Sequence, residues 1–256
     1  MAIYVTGDTH QSIDIHKLTT SNFPEQKELT KNDYVIICGD FGLLWNCIET
    51  GNTVESNHKD KCWTEEELYW KKWLEDKNFT TLFIDGNHEN FDRLNTYTIS
   101  DWNGGKVQKI SDSIIHLLRG EIYNIDGNCI FTLGGAMSVD RGPITGTEEI
   151  DKGVIWWPEE QMSEEEYLYA IDNLNKVDNK VDYVITHDMP AGLNIYYNYK
   201  LSKHSNYLEM IRNTISYKHW FCGHMHDDQD YGSISILYQR VLPINYYGKL
   251  SWETRF

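Results

Sequence analysis

Short apolar runs rich in Val, Ile and Phe punctuate the chain at Ile3 to Thr6, Tyr34 to Cys38, Thr81 to Ile84 and Tyr183 to Thr186. Runs of this length, bounded by polar residues, are the pattern of buried strands. Between them the period changes. Thr64-Glu65-Glu66-Glu67 has capping-box spacing and opens a helical pattern through Leu68, Trp70, Trp73 and Leu74, and Ser163-Glu164-Glu165-Glu166 repeats the device ahead of Tyr167, Leu168, Ile171 and Leu174. Alternation of strand and helix predicts a layered α/β fold. The middle of the chain carries close-set strand candidates at Ile114 to Leu118, Glu121 to Ile125 and Asn128 to Leu133, with Asp126-Gly127 as a hairpin turn, and Ser233 to Tyr247 is again strand-like. Without a Pro- or Gly-rich linker or an internal repeat, one domain over residues 1–256 is expected. Two long irregular segments, residues 46–63 and 136–158, are expected near a functional site.

Residues able to bind a metal fall where these strands end. The first runs into Gly7-Asp8-Thr9-His10, the second into Gly39-Asp40, the third into Asp85-Gly86-Asn87-His88-Glu89, the next into His187-Asp188, and Trp220 to Cys222 into Gly223-His224-Met225-His226. In α/β sheets ligands bind beyond the carboxyl ends of the strands, so loops far apart in sequence can gather there. Glycine before Asp or His is expected to let the backbone turn sharply. The pooled donors Asp8, His10, Asp40, Asn87, His187, His224 and His226 form an imidazole and carboxylate set that suits Mn, Fe, Zn, Co or Ni better than Ca or Mg. The set exceeds what one ion needs. Two ions bridged by a carboxylate and a hydroxide, roughly 3.5 to 4 Å apart as in hydrolases of phosphate esters, account for the surplus.

Composition narrows the partners. Hydrophobic residues make up 40% of the chain and aromatics 13%, which excludes a disordered or collagen-like protein. The balance of 23 Lys and Arg against 39 Asp and Glu gives a net charge of -16, with no Lys/Arg-rich run, so duplex nucleic acid and anionic membranes are not expected partners. No apolar stretch approaches the roughly 20 residues of a membrane span, and the first residues lack a signal-peptide pattern, so a cytosolic protein is expected. The five cysteines show no C-x-x-C pair and read as reduced thiols.

The five strand-end blocks resemble those of the calcineurin-like metallophosphoesterases, D-x-H, G-D, G-N-H-[DE], H and G-H-x-H, in that order from Asp8 to His226. The resemblance implies a four-layer αββα sandwich of two mixed β-sheets with a dinuclear metal centre on their shared edge. It implies one ion on Asp8, His10, Asp40 and His226 and another on Asp40, Asn87, His187 and His224, with Asp40 as the bridge and manganese as the first choice of metal. His88 matches the family's non-ligand histidine, which contacts the scissile phosphate and protonates the leaving oxygen.

The second block departs from the form G-D-x-V-D-R-G found in the family's protein phosphatases and diadenosine tetraphosphatases. Here it reads Gly39-Asp40-Phe41-Gly42-Leu43-Leu44-Trp45, so Leu43 and Leu44 stand in place of the acid that orients the catalytic histidine and of a phosphate-holding arginine. Protein phosphatase activity is disfavoured. Glu89 or Asp188 is the candidate replacement acid, and Arg93 and Arg141 are candidate phosphate clamps, since a guanidinium matches a pair of phosphate oxygens. Tyr196, Tyr197, Tyr199, Trp156 and Trp157 could stack a nucleobase or simply pack; His16, His58, His116, His204 and His219 lack a motif, and Cys47 and Cys62 read as unpaired thiols. The long loops carry both signs, Lys59, Lys61, Arg141 and Lys152 against Glu49, Glu55, Asp60, Glu148, Glu149 and Asp151, unlike the basic rim of a polynucleotide enzyme. The expected activity is hydrolysis of small phosphodiesters, nucleotides or cyclic nucleotides among them, by a metal-bridging hydroxide with His88 as general acid. A nuclease, a phosphomonoesterase and a non-catalytic scaffold are the alternatives.

Overall fold

The computed structural model describes residues 1–45, 63–138 and 156–246. One sheet has seven strands: β1 (Ile3–Thr6), β2 (Tyr34–Ile37), β3 (Thr80–Phe83), β4 (Ile99–Trp102), β5 (Gly105–Ser111), β6 (Ile114–Leu117) and β13 (Val241–Pro243), in the order β13-β1-β2-β3-β6-β5-β4. The other has six: β7 (Ile122–Ile125), β8 (Asn128–Leu133), β9 (Tyr183–Thr186), β10 (His219–Cys222), β11 (Gln229–Tyr231) and β12 (Ile234–Ile236), in the order β11-β12-β10-β9-β8-β7. Each sheet is parallel at its centre, through β1-β2-β3-β6 and β8-β9-β10-β12, and antiparallel at both edges.

Strand pleat decides how the layers stack, because successive side chains leave a strand on opposite faces. Ile36, Leu82, Ile185 and Phe221 point inward and join the core between the two sheets. Their neighbours Val35, Ile37 and Phe83 join the outer core of the seven-stranded sheet, covered by Trp70 and Leu74 of helix α1 (Glu65–Glu75). Val184, Trp220 and Cys222 face the outer core of the six-stranded sheet, covered by Ala170 and Leu174 of α3 (Glu164–Lys176) and by Leu208 and Ile211 of α5 (Lys203–Arg212). Helix on sheet, sheet on sheet and sheet on helix make the expected αββα sandwich of two mixed sheets. The short helices α2 (Phe91–Leu94) and α4 (Asn194–Tyr197) follow strand-end loops.

Both anticipated capping boxes are formed: Thr64 Oγ1 accepts from Glu67 N at 3.2 Å while Glu67 accepts from Thr64 N at 2.9 Å, and Ser163 and Glu166 do the same at 3.1 and 2.7 Å. Asp126 and Gly127, with φ of 54° and 77°, make the β7–β8 turn. A second hairpin, β4–β5, turns through Asn103 and Gly104 at φ 47° and 94°; its outer strand is largely exposed, so it carries little apolar periodicity. The stretch 233–247, expected to be strand-like, is divided between the sheets over its described residues, 233–246. It supplies β12 to the six-stranded sheet, crosses through Tyr238-Gln239-Arg240, and pairs with β1 as β13. Among the described residues, no helix is long and apolar enough to cross a membrane.

Leu82 is the residue that β3 places in the core between the sheets. Leu82→Ala, at a site with no solvent exposure, is expected to lower unfolding free energy by about 2 to 5 kcal/mol through lost burial and a residual cavity. Denaturant unfolding followed by tryptophan fluorescence checks this; a loss under 1 kcal/mol would show that the inter-sheet core does not depend on β3.

Candidate metal centre

The carboxyl ends of the parallel strands of both sheets meet at one place, and all seven expected ligands lie there. Asp8, His10, Asp40 and His226 bring ligand atoms within 4.8 Å of one another, and Asp40, His187 and His224 form a second group of the same kind. Asp40 belongs to both. Asn87 joins the second, with Oδ1 at 3.1 Å from His187 Nε2. The loops are tied by their backbones, Thr9 N and His10 N donating to the Asp40 carbonyl and Gly223 N to that of His187.

The expected ligands themselves, rather than only the glycines before them, make the sharp turns. His10, Asp40, His224 and His226 have φ of 40°, 46°, 64° and 47°, and Gln11 adds 52°. Asp and His are among the few non-glycine types that enter this left-handed region, and such strain persists only where surrounding structure enforces it. Gly39, at φ 89°, also turns in this way. Gly86 and Gly223 have another purpose, since a Cβ on them would stand 2.0 Å from Asp40 Oδ1 and 2.2 Å from Asp8 Oδ1. They are small so that the carboxylates can lie against the backbone.

The donor set fits bound cations. His187 Nδ1 is 2.7 Å from the Cys38 carbonyl and must donate to it, so Nε2 offers a lone pair toward Asp40 Oδ1, itself an acceptor 3.1 Å away. Only a proton or a cation reconciles them. Asp8 Oδ2 is buried without a hydrogen bond, although His226 Nε2 lies 3.1 Å from it. Burial would raise the carboxyls of Asp8 and Asp40, yet the imidazoles beside them hold Asp8 below and Asp40 well below the usual carboxylate range. Burial would likewise lower the imidazoles, but the same carboxylates push His10 up to about 9 and His187 up to about 10. Protons thus supply the positive charge that this cluster requires. Burial and the charge of His187 press His224 down to about 3, leaving it a neutral donor. Its Nε2 lies 3.0 Å from the Tyr199 hydroxyl, whose one proton faces a choice between that nitrogen and the Met137 carbonyl at 3.2 Å.

Other groups brace the centre from behind. Asp14 accepts from His10 Nδ1 at 2.8 Å. Lys17, buried and pushed down to about 8 by that burial, donates to the carbonyls of Gly7, Asp8 and Tyr238. The His10-x-x-x-Asp14 spacing was a visible signal for the first of these, whereas nothing near Lys17 or Tyr238 in sequence points to the site. Tyr199 reaches His224 of the cluster, while Tyr196 stacks on Tyr231 at 4.5 Å and Trp157 donates to Asp92 at 3.0 Å.

His88 stands beside both groups without belonging to either. Its backbone N–H donates to Asp40 Oδ1 at 2.8 Å, and its half-buried ring lies 5.4 Å from that of His10 and 6.0 Å from that of Trp45. Glu89 is buried and accepts from Phe41 N at 2.7 Å and Gly42 N at 3.3 Å, tying the third loop to the second; burial and Asp40 push it up to about 8. Asp188 accepts from Met189 N at 2.7 Å, and burial pushes it up to about 7. Arg93 is buried in α2, with Nη1 at 2.8 Å from Glu67 and its guanidinium 4.5 Å from the Trp63 ring centre, contacts that lie outside the cluster. Arg141, His58, Cys47 and Cys62 lie outside the described residues. His16, His116, His204 and His219 sit elsewhere, against Trp70, Asp85 and Gln108, Met162, and Ser235 respectively.

Imidazoles and carboxylates converging as two groups on one shared aspartate define a candidate dinuclear metal site. Residues 1–228 match the family model of the calcineurin-like phosphoesterases, and the chain belongs to that family. No curated protein matches the chain.

A methyl group at residue 86 would meet the shared carboxylate head on. Gly86→Ala is therefore expected to leave the fold intact by circular dichroism but to remove most bound metal, read by elemental analysis after loading with Mn²⁺. Wild-type metal content in this variant would contradict the placement of Asp40 between the two groups.

Proposed function

We propose that the protein is a dinuclear-metal-dependent phosphoesterase acting on small phosphodiesters, with two transition-metal ions, manganese first, held by Asp8, His10, Asp40 and His226 and by Asp40, Asn87, His187 and His224. The observation that carries the reading is the sharing of buried Asp40, whose two oxygens face His187 at 3.1 Å and His10 at 3.2 Å. Such ions supply Lewis acidity at the phosphoryl oxygens and lower the pKa of the attacking water. The chain's own residues do the rest. Asp40, fixed through Oδ1 by the His88 N–H, holds the two groups in register. His88 delivers a proton to the departing oxygen, a contribution of about 10² to 10⁴ in rate.

Substrate size is supported by what surrounds His88. His10, Gln11, Ile13, Gly42, Trp45 and His88 line a cavity of about 190 Å³, room for a small leaving group. Leu43 and Leu44, in the positions where protein phosphatases of the family carry an acid and an arginine, are buried in the outer core of the seven-stranded sheet. With a net charge of -16, attraction for phosphate is confined to the metal pocket.

His88→Ala should keep its metal content and lose about 10²-fold or more in kcat on diesters with alkoxide leaving groups, and much less on nitrophenyl esters, whose departing oxygen scarcely needs a proton. Equal losses on both would remove His88 from the general-acid role, and loss of metal would make it a ligand.

The reading is tested by a panel of phosphomonoesters, linear and cyclic diesters and single-stranded DNA with Mn²⁺. Small diesters should be the best substrates, with KM nearly unchanged between low and physiological salt. Degradation of DNA with a steep salt slope would replace this reading with a nuclease.

A further inference from the structure

Two residues outside the five blocks converge on the two histidines of one metal group. Asp14 uses both carboxylate oxygens: Oδ2 accepts from His10 Nδ1 at 2.8 Å, and Oδ1 accepts from the Tyr238 hydroxyl at 2.7 Å. The Tyr238 ring in turn lies flat against His226, with centroids 4.8 Å apart and planes 9° from parallel. His10, Asp14, Tyr238 and His226 therefore form one continuous chain of contacts. Its two ends are the imidazoles of the group that also contains Asp8 and Asp40.

Each link is held from outside. The left-handed turn at His10 and Gln11 doubles the backbone back, and Asp14 N donates to the Thr9 carbonyl at 3.0 Å, which sets the Asp14 carboxylate beside the His10 ring. Tyr238 N donates to Asp228 Oδ1 at 2.8 Å, and its carbonyl accepts from Lys17. Asp228 follows His226 by two residues, so the loop that carries His226 also anchors the tyrosine that stacks on it. His226 is the most exposed of the candidate ligands, with half of its side chain in solvent, and the stacked ring covers one of its faces. By contrast, His187 is oriented by the Cys38 carbonyl and His224 by the Tyr199 hydroxyl, rather than by Asp14 or Tyr238.

We propose that Asp14 and Tyr238 are a paired positioning device for the metal ion of the Asp8, His10, Asp40 and His226 group alone. Asp14 fixes the His10 tautomer so that Nε2 faces the ion, and Tyr238, braced by the same carboxylate, holds the His226 ring at the angle that ligation needs. Outer residues of this kind typically set metal affinity by 10- to 100-fold. The inference rests on the two-metal reading above, and binding of the metal tests it without turnover.

Apo protein titrated calorimetrically with MnCl₂ should show two binding events in the wild type. In Asp14→Asn and Tyr238→Ala one event should weaken by about 10- to 100-fold while the other stays within about threefold. Tyr238→Phe, which keeps the stack and loses the hydroxyl link, should fall between them and the wild type. At one Mn²⁺ per chain, electron paramagnetic resonance of Asp14→Asn should report a single occupied environment, the one containing His187 and His224. Equal weakening of both events, with a matching drop in apo melting temperature, would reduce the pair to a structural role, and unchanged affinities would refute it. A wild type that takes up a single ion would overturn the two-metal reading instead, and the pair would then stand or fall on whether Asp14→Asn weakens that ion.

Discussion

Everything around the centre follows from the cost of burying Asp8 and Asp40 side by side. A carboxylate out of water is tolerated only with compensating charge and hydrogen bonds, and here two of them share one low-dielectric pocket. Backbone donors satisfy one oxygen of each, through His88 N and His224 N. The remaining oxygens face imidazoles, and the balance of charge must come from protons or from cations. This requirement explains why histidines from both sheets are drawn to one edge, and why glycines rather than bulkier residues lie behind the two acids.

The sandwich answers the geometric half of the problem. Four parallel strands at the centre of each sheet point their carboxyl ends the same way, and packing the sheets face to face brings the loops of one against the loops of the other. Asp8, His10, Asp40 and Asn87 come from the seven-stranded sheet; His187, His224 and His226 come from the six-stranded one. Each metal group draws ligands from both. The crossing segment at Tyr238 to Arg240, which hands the chain from β12 to β13, adds a seam on the same edge. A bound ion would therefore fasten the two sheets together at their rim as well as serve chemistry.

Much of this was legible in sequence because each block is local: a strand's apolar run followed at once by its ligand is visible without knowing the fold. The capping boxes and the Asp126-Gly127 turn were legible for the same reason. What sequence concealed depends on contacts across long separations. Tyr238 lies 224 residues from Asp14, and its phenol carries no mark of that partnership. Arg93 illustrates the converse: its place one turn after the third block suggested the phosphate, yet burial pairs it with Glu67, a residue that capping-box spacing had already committed to α1. The β4–β5 hairpin carries its sequence signal only in the Asn103-Gly104 turn, because an exposed edge strand has little reason to alternate.

The left-handed backbone at His10, Asp40, His224 and His226 has a further meaning for how this chain can change. An αL residue other than glycine sacrifices on the order of 1 kcal/mol of fold stability, so these positions are held against a local preference to relax. Glycine would release the strain at any of them, but glycine offers no ligand atom. On the proposed function, thermal robustness and a metal-holding centre therefore pull in opposite directions at the same four positions.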